Sequence, residues 1–316
     1  MGAPVPDDPT TVRILEDLIR QQQYKEVETR ILEYLKGNPN SWWGHYVLGY
    51  AQFGQRRVGD SITALAKSLQ LNINNADAHR LLGRNLMTIG RFDAAQIELE
   101  QALKLRPQWA EAHHDLAKIY SAHDNYPPAK RLLEEALRLD TSYMEAYDLL
   151  GFVMEALGDD NAAISNYKKS AGINESRNGN YTGPYVNLAA YYNRTGESAL
   201  AMQYARKALE LNPRADGAAF QLGRALDRLE KWPEAAEALN LAIQVNPNAS
   251  SYHYVLGGVY HRLGKTKESQ EQMEIFRKLQ KETADFEQKR RESRREESRP
   301  VNGAVSPATA PSPLRP

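Results

Sequence analysis

The sequence predicts an all-α chain, a solenoid of about eight helix-turn-helix units, and three observations carry that expectation. The pair Leu48-Gly49 returns as Leu82-Gly83, Leu116-Ala117 and Leu150-Gly151 at steps of 34 residues, then, after a short insertion, as Leu188-Ala189, Leu222-Gly223 and Leu256-Gly257. A fixed period of this length is the mark of stacked helix pairs and not of one globular core. Within each period, apolar residues three and four apart share a helical face. Prolines at 39, 107, 213 and 247 close four of the periods.

Taken in order, the units open near Asp8, Trp42, Ala76, Ala110, Met144, Thr182, Asp216 and Ser250. Unit one has Ile14-Leu15 for Leu-Gly and Val27 for a small residue, which reads as a degenerate terminal cap. Unit two is aromatic. Unit three is the clearest, with His79, Leu82, Gly83 and Leu86 as a first-helix stripe, Gly90 at the turn, and Ala95, Leu99 and Ala102 as the second-helix stripe. Gly83 and Ala95 mark the closest approach of the two helices, where a bulky side chain overpacks. Unit four repeats the phases at Tyr120, Ala129, Leu133 and Ala136. Unit five ends in the insertion SRNGNYTGP, whose Gly179, Asn180, Gly183 and Pro184 read as a surface loop. Unit six carries Tyr192, Gly196, Ala201 and Ala208 in phase, and units seven and eight keep the pattern.

These phased residues make the chain similar to the tetratricopeptide repeat family over residues 8–281, and the resemblance implies a right-handed superhelix that binds proteins. Residues 1–7 are expected to be disordered. The last second helix carries Met273, Phe276 and Leu279, then runs into a charged extension, 282–298, expected to act as a hydrophilic lid on the final repeat. The Pro/Ala/Ser tail 299–316 is expected to be disordered and ends in a weak PxxP match.

Composition and motifs exclude much. Lysine plus arginine equals aspartate plus glutamate, 40 each, so no global field steers the protein toward nucleic acid or an anionic membrane. Cysteine is absent, removing thiolate chemistry and cysteine-ligated zinc. No basic-then-apolar start and no run of roughly 18 apolar residues occurs, so a soluble, cytoplasmic protein is expected, unless the start is a processed or misassigned one. His45, His79, His113 and His253 share the fourth position of their first helices. Equivalent positions lie about 10 Å apart per packed layer, too far to share a zinc ion bound at about 2.0–2.1 Å. They are read as polar-edged rings packed between repeats, and neither a metal nor a cofactor is expected. No GxSxG, GxGxxG or phosphate loop appears. A non-enzymatic protein follows.

The resemblance places the second, fifth, ninth and twelfth residues of each unit on the concave face. In unit two these are Trp43, Tyr46, Tyr50 and Phe53, and the core face of the same helix is His45, Leu48, Gly49 and Gln52. The aromatic strip is either a binding surface or is covered by unit one or the N-terminal peptide; sequence leaves both open. Arg80, Arg84, His114 and Lys118 continue the face as a positive strip, followed by Glu145, Asp148, Phe152 and Glu155 in unit five, then Arg224, Asp227, Tyr254 and His261. The series Arg80, Arg84, Asp115, Glu145 and Leu149 departs from the family's chaperone-tail clamp, since Asp115 and Glu145 repel a carboxylate. The expected function is a scaffold or adaptor holding a peptide segment or helix of a partner protein. The rival is a self-associating structural scaffold or assembly subunit without a peptide ligand; neither nucleic acid nor a membrane span is expected.

Overall fold

The computed structural model describes residues 9–297, and every regular element among them is a helix. In chain order the sixteen helices are α1 (Pro9–Arg20), α2 (Tyr24–Gly37), α3 (Trp42–Gly54), α4 (Val58–Leu71), α5 (Ala76–Thr88), α6 (Phe92–Leu105), α7 (Ala110–Ala122), α8 (Tyr126–Leu139), α9 (Met144–Ala156), α10 (Asp160–Ser176), α11 (Gly183–Thr195), α12 (Ser198–Leu211), α13 (Asp216–Arg228), α14 (Trp232–Val245), α15 (Ser250–Arg262) and α16 (Thr266–Glu297). Contacts divide the chain into two compact units, Met1–Leu188 and Ala189–Pro316. No helix among the described residues is long and apolar enough to cross a membrane. The readings made for residues 1–7 and 299–316 fall outside the described residues.

The helix pairs are closed by one recurring turn. A left-handed residue follows each first helix at the same phase: Gln22, Arg56, Gly90, Asp124, Gly158, Gly196, Glu230 and Gly264. Only four are glycine, although an L side chain in this region costs roughly 1–2 kcal/mol. What holds the others is the C-cap hydrogen bond one residue on: the N–H groups of Gln23, Arg57, Arg91, Asn125, Asp159, Glu197, Lys231 and Lys265 each reach a first-helix carbonyl at 2.9 Å.

Within a pair, small residues set the distance of approach. A Cβ on Gly83 would stand 2.8 Å from Leu99 Cγ and 3.2 Å from the Ala95 carbonyl oxygen, and one on Gly223 would stand 2.6 Å from Leu239 Cγ. Ala95, Ala129, Ala163, Ala201 and Ala235 are fully buried at the facing phase. Where serine replaces that alanine, its hydroxyl donates to the facing carbonyl, Ser61 to Gly49 at 2.7 Å and Ser269 to Gly257 at 2.8 Å, so no polar atom is stranded by the change.

The insertion lies at the surface, with residues 176–178 and 180 exposed, but it is tied down: α10 runs on to Ser176, and the buried Asn174 side chain then accepts the Tyr181 N–H at 3.1 Å while its backbone carbonyl accepts the Gly179 N–H at 2.8 Å. A Cβ on Gly179 would collide with Asn174 Oδ1. The charged extension is helical to Glu297. It continues α16 without a break, and residues 280–286 are exposed, Phe286 by 66 %.

Candidate protein-interaction surface

The aromatic side chains of α3 serve two surfaces at once. Trp43 and Tyr46 pack against the core built from Leu15, Val27, Ile31, Leu35, Val47 and Leu48, and Tyr46, Tyr50 and Phe53 pack against the next core, around Leu65, Leu82 and Leu99. All four are half-buried. The expected separation of a core face from an aromatic face is therefore corrected: on a helix with Gly44, Val47, Leu48, Gly49, Ala51 and Gln52 buried, the aromatics complete the packing while keeping one edge outward. Trp43 meets Tyr34 edge-on at 5.7 Å and Tyr50 lies 6.4 Å from both Tyr24 and Tyr46.

That outward edge forms one wall of a cleft. Val12, Leu15, Glu16 and Ile19 of α1 face Trp43, Tyr46, Val47 and Tyr50 of α3 across about 280 Å³. Unit one thus flanks the aromatic strip instead of sealing it. Val12, Glu16 and Ile19 were missed in the sequence, yet counting the same fifth, ninth and twelfth phases from Asp8 reaches them.

The next side chains lose part of their expected charge. Arg80 donates from Nε to Asp115 Oδ2 at 2.7 Å and stacks over the Trp109 ring at 5.0 Å. His114 is buried, and its Nδ1 is hydrogen-bonded to the Tyr143 hydroxyl at 3.0 Å. Burial first, then the cations Lys118, Arg80 and Arg84, push its pKa down to about 3, so His114 adds no positive charge at neutral pH and leaves the strip to its neighbours. Arg84 and Lys118 do gather, with Phe53, Met87, Phe92 and Asp115, around a second cleft of about 270 Å³. Arg84 lies over the Phe53 ring at 5.0 Å.

Asp148 is drawn inward as well. It is only 6 % exposed and accepts the Tyr181 hydroxyl at 2.6 Å and the Asn187 amide at 2.9 Å. Burial raises its pKa against those two hydrogen bonds. Tyr181 comes from the insertion, and a Cβ on Gly183 would collide with both its ring and Asp148 Oδ2. Phe152, by contrast, is 42 % exposed and touches Tyr126 at 6.2 Å. In the second compact unit, Asp227 is tied to Arg262 at 2.8 Å, and these two with Tyr254 and His261 edge a cleft of about 380 Å³. Arg224 stacks on Phe220 at 5.7 Å.

The phased histidines form a structural series. Nε2 of His45, His79, His113 and His253 donates to the carbonyl six residues earlier, on Pro39, Ile73, Pro107 and Pro247, at 2.8–2.9 Å. Each ring thereby ties its helix to the turn before it.

Three sequence profiles described as tetratricopeptide repeat match residues 52–119, 183–214 and 220–284, together more than half of the chain. The chain belongs to the tetratricopeptide repeat family. Solved structures share the tetratricopeptide repeat fold: a protein of this family from Parabacteroides merdae ATCC 43184 is 15% identical over 79% of this chain and 97% of its own, with a TM-score of 0.63. The APC/C hetero-tetramer Cut9-Hcn1 is 14% identical over 78% of this chain and 48% of that one, with a TM-score of 0.68. MamA is 22% identical over 52% of this chain and 96% of its own, with a TM-score of 0.47. No curated protein matches the sequence. The tetratricopeptide repeat fold is in general a scaffold for protein interaction, and that is the class to which this array belongs.

Proposed function

We propose that the protein is a non-enzymatic adaptor that holds a peptide segment or helix of a partner protein on the first-helix face of its first compact unit, Met1–Leu188. The observation that carries this reading is the α1/α3 cleft, about 280 Å³ lined by Val12, Leu15, Ile19, Trp43, Tyr46 and Tyr50. Aromatic side chains that are anchored on one side and open on the other supply contact area at low entropic cost, as interface anchors do. The flanking cleft at Phe53, Arg84 and Lys118 extends the same face.

A photo-crosslinking residue placed at Glu16, exposed on the cleft edge, should capture a partner that the same residue at the exposed Lys267 does not. Trp43→Ala and Tyr50→Ala should each weaken that partner by about 2 kcal/mol or more. Because both rings also pack in the core, their melting temperatures must be measured alongside, and loss of binding only in step with unfolding would refute the assignment. The rival reading, a self-associating scaffold, gains support if sedimentation shows mass rising with concentration and the Glu16 crosslink joins two copies of the chain.

A further inference from the structure

The two clefts of the first compact unit differ in charge, and the difference bears on what the partner segment carries. The second cleft is lined by two cations, Arg84 and Lys118, and one carboxylate, Asp115, and that carboxylate is occupied by Arg80. Among the described residues neither Arg84 nor Lys118 has a carboxylate partner: Arg84 rests on Phe53, and Lys118 is exposed. The surplus is local, because the chain as a whole has a formal net charge of zero. It registers at His114, whose proton Lys118, Arg80 and Arg84 help to expel. Phe53, Met87 and Phe92 supply an apolar floor in the same cavity.

We infer that this cleft takes an acidic side chain set next to an apolar one in a partner protein, the carboxylate seated between Arg84 and Lys118 and its apolar neighbour on Phe53, Met87 and Phe92. The inference rests on the reading that the first-helix face holds a partner segment. An arginine held over an aromatic ring keeps its N–H fork free at the edge, ready for charge-assisted hydrogen bonds to a carboxylate. A nucleic-acid strand fits the surface less well, since its phosphates need a continuous cationic track and Glu16 lies on the neighbouring cleft with Glu145 further along the face.

The test is a display selection of random 12-residue peptides on the full chain, followed by binding measurements with the enriched peptide and its Asn/Gln isostere. Peptides pairing Asp or Glu with Leu, Ile or Phe are expected, and the isostere should bind about tenfold more weakly, with a salt dependence smaller than that of the acidic peptide. Lys118→Glu, which changes an exposed side chain, should cost at least about tenfold without moving the melting temperature, and Arg84→Glu/Lys118→Glu should accept the peptide with lysine in place of the acid. Enriched peptides that compete with a Glu16-crosslinked ligand but ignore charge reversal would overturn this inference and leave the binding surface standing. No enrichment above background would overturn both. Oligo-uridine binding as tightly as the acidic peptide, and lost in Lys118→Glu, would overturn the peptide assignment in favour of nucleic acid.

Discussion

His79 and His114 sit one phase apart in successive units, and their environments drive their protons in opposite directions. His79 donates from Nε2 to the Ile73 carbonyl and from Nδ1 to Glu98 Oε2 at 2.6 Å, and the Glu98 hydrogen bond, outweighing desolvation, raises its pKa. A raised folded-state pKa means stabilisation that is complete below the unfolded value of about 6.5 and is lost as pH rises through the folded value. His79→Gln should therefore cost more stability at pH 5.5 than at pH 8.5, read by denaturant unfolding at each pH. For His114, pushed down to about 3, the sign reverses: from pH 6.5 downward the unfolded chain takes up a proton that the folded one refuses, so acid destabilises. His114→Gln should flatten the fall in stability between pH 6.5 and 4, and a wild-type slope there would disprove the buried neutral ring. The shared phase of the histidines was legible in the sequence. Their partners were not, because the acceptors lie six residues back across a turn and, for Glu98, on the facing helix.

Helix by helix, the period placed first helices near 42, 76, 110, 144, 216 and 250, and they begin at those residues. Close approach was legible too, since Gly and Ala recurring at fixed phases mark where two helices touch. Gly83→Leu and Ala95→Leu should each destabilise by roughly 1–3 kcal/mol through overpacking. Gly179→Ala should also lower stability measurably, because its Cβ collides with the Asn174 amide that orders Tyr181. Tyr181→Phe should cost about 1–2 kcal/mol by removing one of the two donors to the buried Asp148. Equal melting curves for Tyr181→Phe and wild type would show that the insertion merely passes over the helices. The insertion escaped sequence reading because Gly, Asn and Pro announce a turn but say nothing of where a tyrosine between them lands. The α3 aromatics were misjudged for a related reason: phase assigns a side chain to a face, whereas ring size decides how many faces it touches.

At the scale of the whole molecule, local stability should be uneven. In a repeat array each element leans on its neighbours, so terminal elements open first. Amide exchange should be fastest in α16 beyond Lys281, where the described side chains are exposed, and in α1, ahead of α5 and α6 with Leu82, Leu86 and Leu99 buried between them. Slow exchange beyond Lys281 in a monomer would mean that something covers that helix. The family and its eight pairs were readable because repetition multiplies one weak signal; the proposed binding surface was readable only in outline, because Arg80, His114 and Asp148 spend their polar atoms on other residues of the array. The histidine that fastens each turn presents its second nitrogen to the residue nineteen positions on, which is Glu98 for His79 and Gln272 for His253 but Leu132 for His113, whose Nδ1 is buried with no hydrogen-bond partner among the described residues. The fastener is thus a two-part fitting with numbered sockets, complete in some repeats and half-installed in others, and an engineer splicing repeats from this array can carry it across by moving both parts together.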